Sequence, residues 1–269
     1  MPSIRVNGAS LNYVVAGDGP ETILFSHGLF MSSNSYREQL RYFAGRYRVV
    51  AYDHRGHGRS SVPWSGYDMD TIAEDAAQLI EHLGAPVHFA GLSMGGFVGI
   101  RLAARRPQLL RSLVLMATSA DDQPGNKAAA HVVTTGLVRT FGLKPIAKQS
   151  VRAMYGQPYL RNRDRSQAAL DYVRSLPKSM WRPMAAVADR PSVASELGRI
   201  SVPTLVVVGD CDTLLPPQHS LRLAAGIPNA KLVRIPNTGH LISDENPKAL
   251  NIAIDRFLAN LPHSATALA

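Results

Sequence analysis

Gly91-Leu92-Ser93-Met94-Gly95 decides how this chain is read. It follows Val87-His88-Phe89-Ala90, a short apolar segment of strand character. It precedes Gly96-Phe97-Val98-Gly99-Ile100-Arg101-Leu102-Ala103-Ala104-Arg105, which predicts a helix ended by Pro107. A Gly-x-Ser-x-Gly between a strand and a helix is the pattern of a nucleophile elbow, a turn tight enough to lift the serine Oγ clear of a sheet. Glycine at 91 and 95 leaves room where a Cβ would crowd so sharply bent a backbone. The following helix aims its first N–H groups and positive dipole end at the same point, where an oxyanion would be stabilised. Any five residues can spell this pattern, so its weight depends on what surrounds it.

Outward from the elbow, strand and helix signals alternate. Ile4-Arg5-Val6, Asn7-Gly8 and Leu11-Asn12-Tyr13-Val14-Val15 predict a hairpin, Asn-Gly being a strong two-residue turn signal. Thr22-Ile23-Leu24-Phe25, Tyr47-Arg48-Val49-Val50-Ala51-Tyr52, Leu113-Val114-Leu115-Met116, Thr204-Leu205-Val206-Val207-Val208 and Lys231-Leu232-Val233-Arg234-Ile235 read as further strands. Helices are expected at 33–45, near 218–226 and from Pro247 to about Asn260. Thr71-Ile72-Ala73-Glu74 predicts a capping box opening another helix, which Gly84 stops. This alternation calls for a parallel sheet covered on both faces. It lapses over 119–198, where helices broken by Gly and Pro are expected and no strand. The expected organisation is a core of 1–118 and 199–262, a helical cap of 119–198 over the C-terminal edge of the sheet, and a disordered tail at 263–269. Open α/β sheets bind ligands at that edge.

Composition narrows the class. With 269 residues, 45% apolar and 18% charged, the chain can bury a large core as one α/β domain with an insertion. The single cysteine, Cys211, excludes an internal disulfide and fits a reducing compartment. Met1-Pro2-Ser3-Ile4-Arg5 has no charged segment leading into an apolar run, and no apolar run nears the ~18 residues that span a bilayer. A cytoplasmic protein with no membrane partner is expected. The net charge of +9 comes without a dense basic block or a zinc-finger or RNA-binding signature, so no nucleic-acid partner is expected. His54 and His57 lack the carboxylates or cysteines that would complete a metal site, and Gly56 and Gly58 lack the third glycine of a dinucleotide fingerprint, Ser61 standing there. No metal or cofactor is expected, and the oligomeric state is left open.

Two late loops supply what Ser93 lacks. A serine hydroxyl needs a neutral imidazole to take its proton, and a buried carboxylate to hold that imidazole in the right tautomer. Gly209-Asp210-Cys211-Asp212-Thr213-Leu214-Leu215-Pro216 follows one strand and Pro236-Asn237-Thr238-Gly239-His240 the next. His240 is the candidate base, and Asp210 and Asp212 are both candidate acids.

From Ile4 to Leu261 the chain resembles the α/β-hydrolase fold family. The motifs stand in family order: Ser26-His27-Gly28-Leu29, Tyr52-Asp53-His54-Arg55-Gly56-His57-Gly58-Arg59-Ser60, Gly91-Leu92-Ser93-Met94-Gly95-Gly96, Gly209-Asp210-Cys211-Asp212 and Gly239-His240. The resemblance implies a mostly parallel eight-stranded sheet with helices on both faces and a helical cap. It implies Ser93 as nucleophile, His240 as general base and, through the Gly-x-x-Asp-x-x-x-Pro pattern ending at Pro216, Asp212 as the acid. It implies an oxyanion hole from the backbone N–H groups of Leu29 and Met94, with His27 ordering its loop. Serine at the elbow excludes the alkyl-enzyme route of the dehalogenases and epoxide hydrolases, which use aspartate there. Phe30, where cofactor-free perhydrolases tend to carry proline, weighs against peroxide chemistry. The motifs are particularly similar to 3-oxoadipate enol-lactonases and related small esterases, which implies a serine hydrolase of carboxylic esters or lactones. Carbon–carbon bond hydrolases of ring-fission products, cofactor-free perhydrolases and non-enzymatic receptors of this fold are the alternatives.

Charge is unevenly spread. Residues 119–198 carry twelve Lys or Arg, Lys127 among them, against six Asp or Glu, and so hold +6 of the chain's +9. Either this is a solvated basic surface or it draws an anionic ester or lactone substrate. Phe30 and Trp181, with Met154, Tyr155, Met180 and Met184, are candidate pocket wall.

Overall fold

The computed structural model describes residues 2–122 and 128–261. The tail expected at 263–269 and Lys127 lie outside the described residues. Eight strands form one sheet: β1 (Ser3–Val6), β2 (Ala9–Ala16), β3 (Thr22–Ser26), β4 (Arg48–Tyr52), β5 (Val87–Leu92), β6 (Leu110–Met116), β7 (Thr204–Gly209) and β8 (Lys231–Ile235). Their order across the sheet is β1-β2-β4-β3-β5-β6-β7-β8. β3 to β8 run parallel, and β2 runs against both its neighbours. The hairpin joining β1 to β2 turns at Asn7 and Gly8, both at positive φ, as a two-residue turn of the hairpin type needs.

Every residue of β3, β5 and β7 is buried, which is why these strands read as unbroken apolar runs. Alternation along each strand then divides the core. Leu24, Val50, Phe89, Leu113 and Val206 face α2 (Met69–Leu83) and α3 (Met94–Arg105). Ile23, Phe25, Val49, Leu92, Val114 and Val207 face α1 (Arg37–Phe43), and α11 (Pro247–Ala259) closes the same side. Between β6 and β7 the described residues contain helices and no strand: α4 (Ala128–Phe141), α5 (Ala147–Met154), α6 (Gln157–Leu160), α7 (Arg163–Ser175) and α8 (Trp181–Ala188). Met154, Tyr155, Met180 and Met184 of this segment join the α1/α11 core. α9 (Pro217–Gly226) and α10 (Ile242–Glu245) complete the fold.

β3 carries β4 on one side and β5 on the other, so the strand order reverses there. The chain leaving β3 goes on to a helix on one face of the sheet and the chain leaving β5 to a helix on the other, and doubly wound sheets place ligands at such a point. The 26–31 loop and the elbow at Ser93 are the two loops concerned.

The start of α2 differs from expectation. The cap is Asp68, whose carboxylate accepts from the Thr71 N–H at 2.9 Å and the Thr71 hydroxyl at 2.7 Å, so the helix begins at Met69. Thr71 donates its hydroxyl to the real cap, and Glu74 pairs with Arg106 at 2.8 Å instead of reaching back. Aspartate caps at least as well as threonine, and here it stands earlier in the chain. The stop is as expected, with Gly84 at φ 87°.

The loop after β4 is pinned to α2 by a buried ion pair. Arg55 meets Asp75 with both nitrogens of one guanidinium edge, Nε to Oδ2 at 2.6 Å and Nη2 to Oδ1 at 2.5 Å, and its Nη2 also donates to the Asn7 carbonyl. Removing one partner of such a pair leaves an uncompensated buried charge. Asp75→Ala is expected to cost about 3–5 kcal/mol in urea denaturation, and Arg55→Met/Asp75→Leu distinctly less. Equal losses for the two would show that the pair is not desolvated.

Candidate active site

The elbow is built from strain held in place by neighbours. Ser93 sits at φ 52°, ψ −111°, a conformation that a side-chain-bearing residue keeps only under constraint. The constraint is visible: its N–H donates to the Met116 carbonyl at 2.9 Å, and its carbonyl accepts from the Thr118 hydroxyl at 2.8 Å and the Gly96 N–H at 2.8 Å. A Cβ on Gly91 would fall 2.2 Å from the Gly95 oxygen, and one on Gly95 would fall 2.1 Å from the Ser26 oxygen. Ser93 is half-buried between the fully buried Leu92 and Met94, so the turn presents only the serine.

The loop after β3 lies directly against it. A Cβ on Gly28 would come within 3.3 Å of the Ser93 Cβ, which puts Gly28 beside the serine. His27 braces this loop. Its Nε2 faces the His54 backbone N–H at 3.1 Å, and an N–H can only donate, so Nε2 accepts. Nδ1 therefore carries the hydrogen and donates to the Gly28 carbonyl at 2.8 Å. Phe30 is buried at φ 66°, with its carbonyl taking the Tyr172 hydroxyl of α7 at 2.9 Å.

His27 belongs to a buried cluster of three imidazoles. Its ring lies 4.6 Å from that of His54 and 5.0 Å from that of His57, each near edge-on. His54 Nε2 meets the Ser26 hydroxyl at 2.9 Å, which in turn meets Tyr52 Oη at 2.9 Å. His54 Nδ1 and His57 Nε2 have no hydrogen-bond partner. Burial holds His27 below the ordinary imidazole range and His54 well below it, and carries His57 down to about 3. No group of three or more potential metal-ligating side chains occurs among the described residues.

Across the sheet edge, the loops after β7 and β8 meet. His240 Nδ1 lies 2.8 Å from Asp212 Oδ2, with both side chains buried. The other carboxylate oxygen of Asp212 accepts from the N–H groups of Leu214 and Leu215, each at 2.9 Å, which fixes its plane. A carboxylate accepts, so Nδ1 donates, and Nε2 keeps the lone pair that a base needs. Asp210 is exposed, and its carboxylate reaches the Thr238 N–H at 3.4 Å. Of the two candidate acids, Asp212 is the one the structure brings to His240.

Glu245, which the sequence reading did not single out, grips the His240 loop from both sides. Its Oε2 accepts from the Gly239 N–H at 2.9 Å and the Gly156 N–H at 3.0 Å, and its Oε1 from the Leu241 N–H at 3.1 Å. Burial raises its pKa, against the pull of those N–H groups and of His240. Neighbouring Asp244 takes the Tyr155 hydroxyl at 2.7 Å. The only sequence signal was an acidic pair in the turn before Asn246-Pro247. Trp181 is half-buried at the edge of the apolar cluster that includes Phe30 and Met184, with Arg139 and Arg182 each 5.1 Å from its ring centre.

The alpha/beta hydrolase family pattern matches residues 23–253. 3-Oxoadipate enol-lactonase 2 of Acinetobacter baylyi is 28% identical over 257 residues, 94% of each chain. A protein of Pseudomonas syringae pv. syringae that bears the name carbamate hydrolase RutD is 31% identical over 252 residues, 91% of this chain and 96% of that one. Among solved structures, a thermophilic esterase from Thermogutta terrifontis superimposes with a TM-score of 0.90 at 27% identity, over 97% of this chain and 99% of that one.

The histidine cluster makes stability depend on pH. The unfolded chain takes up protons near pH 6.5 that the folded rings refuse until lower pH, His54 and His57 until far lower, so this stability is complete above 6.5 and is lost as pH falls. Each ring that stays neutral contributes a loss of about 1.4 kcal/mol per pH unit below that point. His88, also lowered by burial, adds to the effect, while the raised carboxylates of Asp75 and Glu245 act the opposite way. Urea denaturation at pH 7, 6 and 5 is expected to show a steady fall. Stability that holds steady or rises down to pH 5 would mean that the raised carboxylates, and not the rings, set the dependence.

Proposed function

The chain belongs to the alpha/beta hydrolase family, and from that premise we propose that it hydrolyses a carboxylic ester or lactone through a serine acyl-enzyme. The observation that carries this reading is the buried Asp212–His240 pair, whose tautomer leaves Nε2 free to accept a proton, at the same sheet edge as the strained Ser93. In this reading Ser93 Oγ attacks the substrate carbonyl while its proton passes to His240 Nε2, and Asp212 steadies the imidazolium. The oxyanion is held by the N–H groups of Leu29 and Met94. As the carbon–oxygen bond of the ester breaks, His240 returns the proton to the leaving alkoxide, which in a lactone stays tethered to the acyl group. Water, deprotonated by His240, then attacks the acyl-enzyme and releases the acid and Ser93. These steps use side chains, backbone and water alone.

Likeness to an enol-lactonase and to an esterase supports ester or lactone over other acyl substrates. Likeness to the protein named as a carbamate hydrolase favours a second reading, in which the same acylation expels an amine. Residues 119–198 act as a cap in this proposal, supported by the Tyr172–Phe30 and Gly156–Glu245 hydrogen bonds that tie the segment to the two site loops. Phe30 and Trp181 then serve as pocket wall, and the cations of the segment favour an anionic substrate. The single cysteine, Cys211, fits work in the reducing cytoplasm.

The test is a panel of activated esters, lactones, carbamates and vinylogous diketones, with a fluorophosphonate probe. Ser93 is expected to be the residue labelled. Ser93→Ala should lose about 10⁶-fold in kcat and Asp212→Asn about 10⁴-fold, while Asp210→Asn changes little. With rising salt, kcat/KM for an anionic ester should fall while a neutral isostere stays flat. Full activity in Ser93→Ala, or labelling elsewhere, would overturn the mechanism. Ligand binding without turnover would make the protein a receptor.

A further inference from the structure

α4 is inverted relative to an ordinary surface helix. Val138 is its fully buried contact with the protein. Its outer face carries Val132 at 74% exposure, Val133 at 63%, Leu137 at 39% and Phe141 at 61%. Val133, Leu137 and Phe141 are spaced four apart, so they form one ridge along the helix. A soluble surface helix normally turns charged and polar residues outward.

The surroundings of this ridge are cationic. The turn at Lys178–Met180 and α8 rest against α4. Together with α4 they contribute Arg139, Lys178 and Arg182 and not one Asp or Glu. From 128 to 163 the chain holds six Lys or Arg and no acid. The contacts these three cations make are with rings and a carbonyl. Lys178 Nζ donates to the Thr140 carbonyl at 2.8 Å, and Arg139 lies over Trp181. Arg182 lies between Trp181 and Trp64, 4.8 Å from the Trp64 ring, and Trp64 is itself 86% exposed. The result is an apolar ridge bordered by cations and by an exposed indole.

We propose that this face docks on an anionic lipid bilayer, with the α4 ridge set into the headgroup–acyl boundary and Arg139, Lys178 and Arg182 against the lipid phosphates. Apolar insertion and cationic attraction are the two elements of interfacial helix binding, and tryptophan is favoured at that depth. The expectation of no membrane partner rested on spanning segments, and the described residues contain no helix long and apolar enough to cross a bilayer. Docking in the plane of the surface needs none. A second copy of the chain is a poorer occupant, because it would press the same three cations against themselves. The proposal does not depend on the hydrolytic reading, because binding is read without turnover.

The test is co-sedimentation of the full chain with vesicles of equal parts phosphatidylcholine and phosphatidylglycerol, against vesicles of phosphatidylcholine alone. Binding is expected only to the anionic vesicles, and should weaken as salt rises. Val133→Asp/Phe141→Asp and Arg139→Gln/Lys178→Gln should each weaken it by about tenfold or more. Lys231→Gln/Arg256→Gln, which removes equal charge from β8 and α11, should leave it nearly unchanged. Circular dichroism of each variant checks the fold. Failure to bind anionic vesicles would overturn the proposal. So would equal losses in the two lysine and arginine pairs, which would make the binding a matter of net charge. Wild-type self-association abolished by Val133→Asp/Phe141→Asp, with no vesicle binding, would assign the ridge to a second copy instead.

Discussion

The rest of the site depends on a close approach of backbone to backbone at the end of β3 and β5. Gly95 stands so near the Ser26 carbonyl, and Gly91 so near Gly95, that no side chain fits between them. This brings the first turn of α3 under the serine and the 26–31 loop beside it. Because the contact is made by main chain, the approach of these two segments does not depend on the side chains at Leu29 and Met94. The fold meets the strain at Ser93 with hydrogen bonds to the Met116 carbonyl at the end of β6 and from the Thr118 hydroxyl just beyond it.

The histidines around this contact behave as shaped filling with directed hydrogen bonds. His27 uses both nitrogens on backbone, one on each of two loops, and burial keeps the cluster neutral. Charging His54 inside the fold would oppose desolvation and the other two rings together, which is why it is held so low. The nearby Asp53 does similar work with charge. It accepts from the Ser33 and Arg59 N–H groups and from Asn12, and so joins β2 and two further segments around one carboxylate.

Much of this was legible in the chain because the relevant physics is local. Buried parallel strands show as apolar runs, Asn7-Gly8 announces its hairpin, and Gly84 stops α2 by adopting a left-handed backbone. The elbow and its two partner loops show because each needs particular residue types at fixed spacing after a strand. Where two residues of one type compete, local reading falters: Thr71 and Asp68 are both good caps, and Asp210 and Asp212 are both loop carboxylates. Tertiary placement decides between them, by the turn of the chain before Met69 and by which carboxylate faces inward beyond β7. The role of Glu245 was not legible because it lies in backbone N–H groups at 156, 239 and 241, which only the tertiary fold brings to one carboxylate.

That carboxylate bears on how separable the parts of the protein are. The run from 119 to 198 is contiguous, and by its position between two strands it invites exchange for the corresponding run of another family member. Yet one Glu245 oxygen serves Gly156 within that run and Gly239 beside His240, and a Cβ on residue 156 would fall 2.8 Å from the Gly239 nitrogen. A transplanted segment that lacks a glycine at this joint would displace the histidine loop itself. Any substitute for the helical segment between β6 and β7 is therefore tethered to a residue far outside it, and has to present a bare backbone N–H at that point.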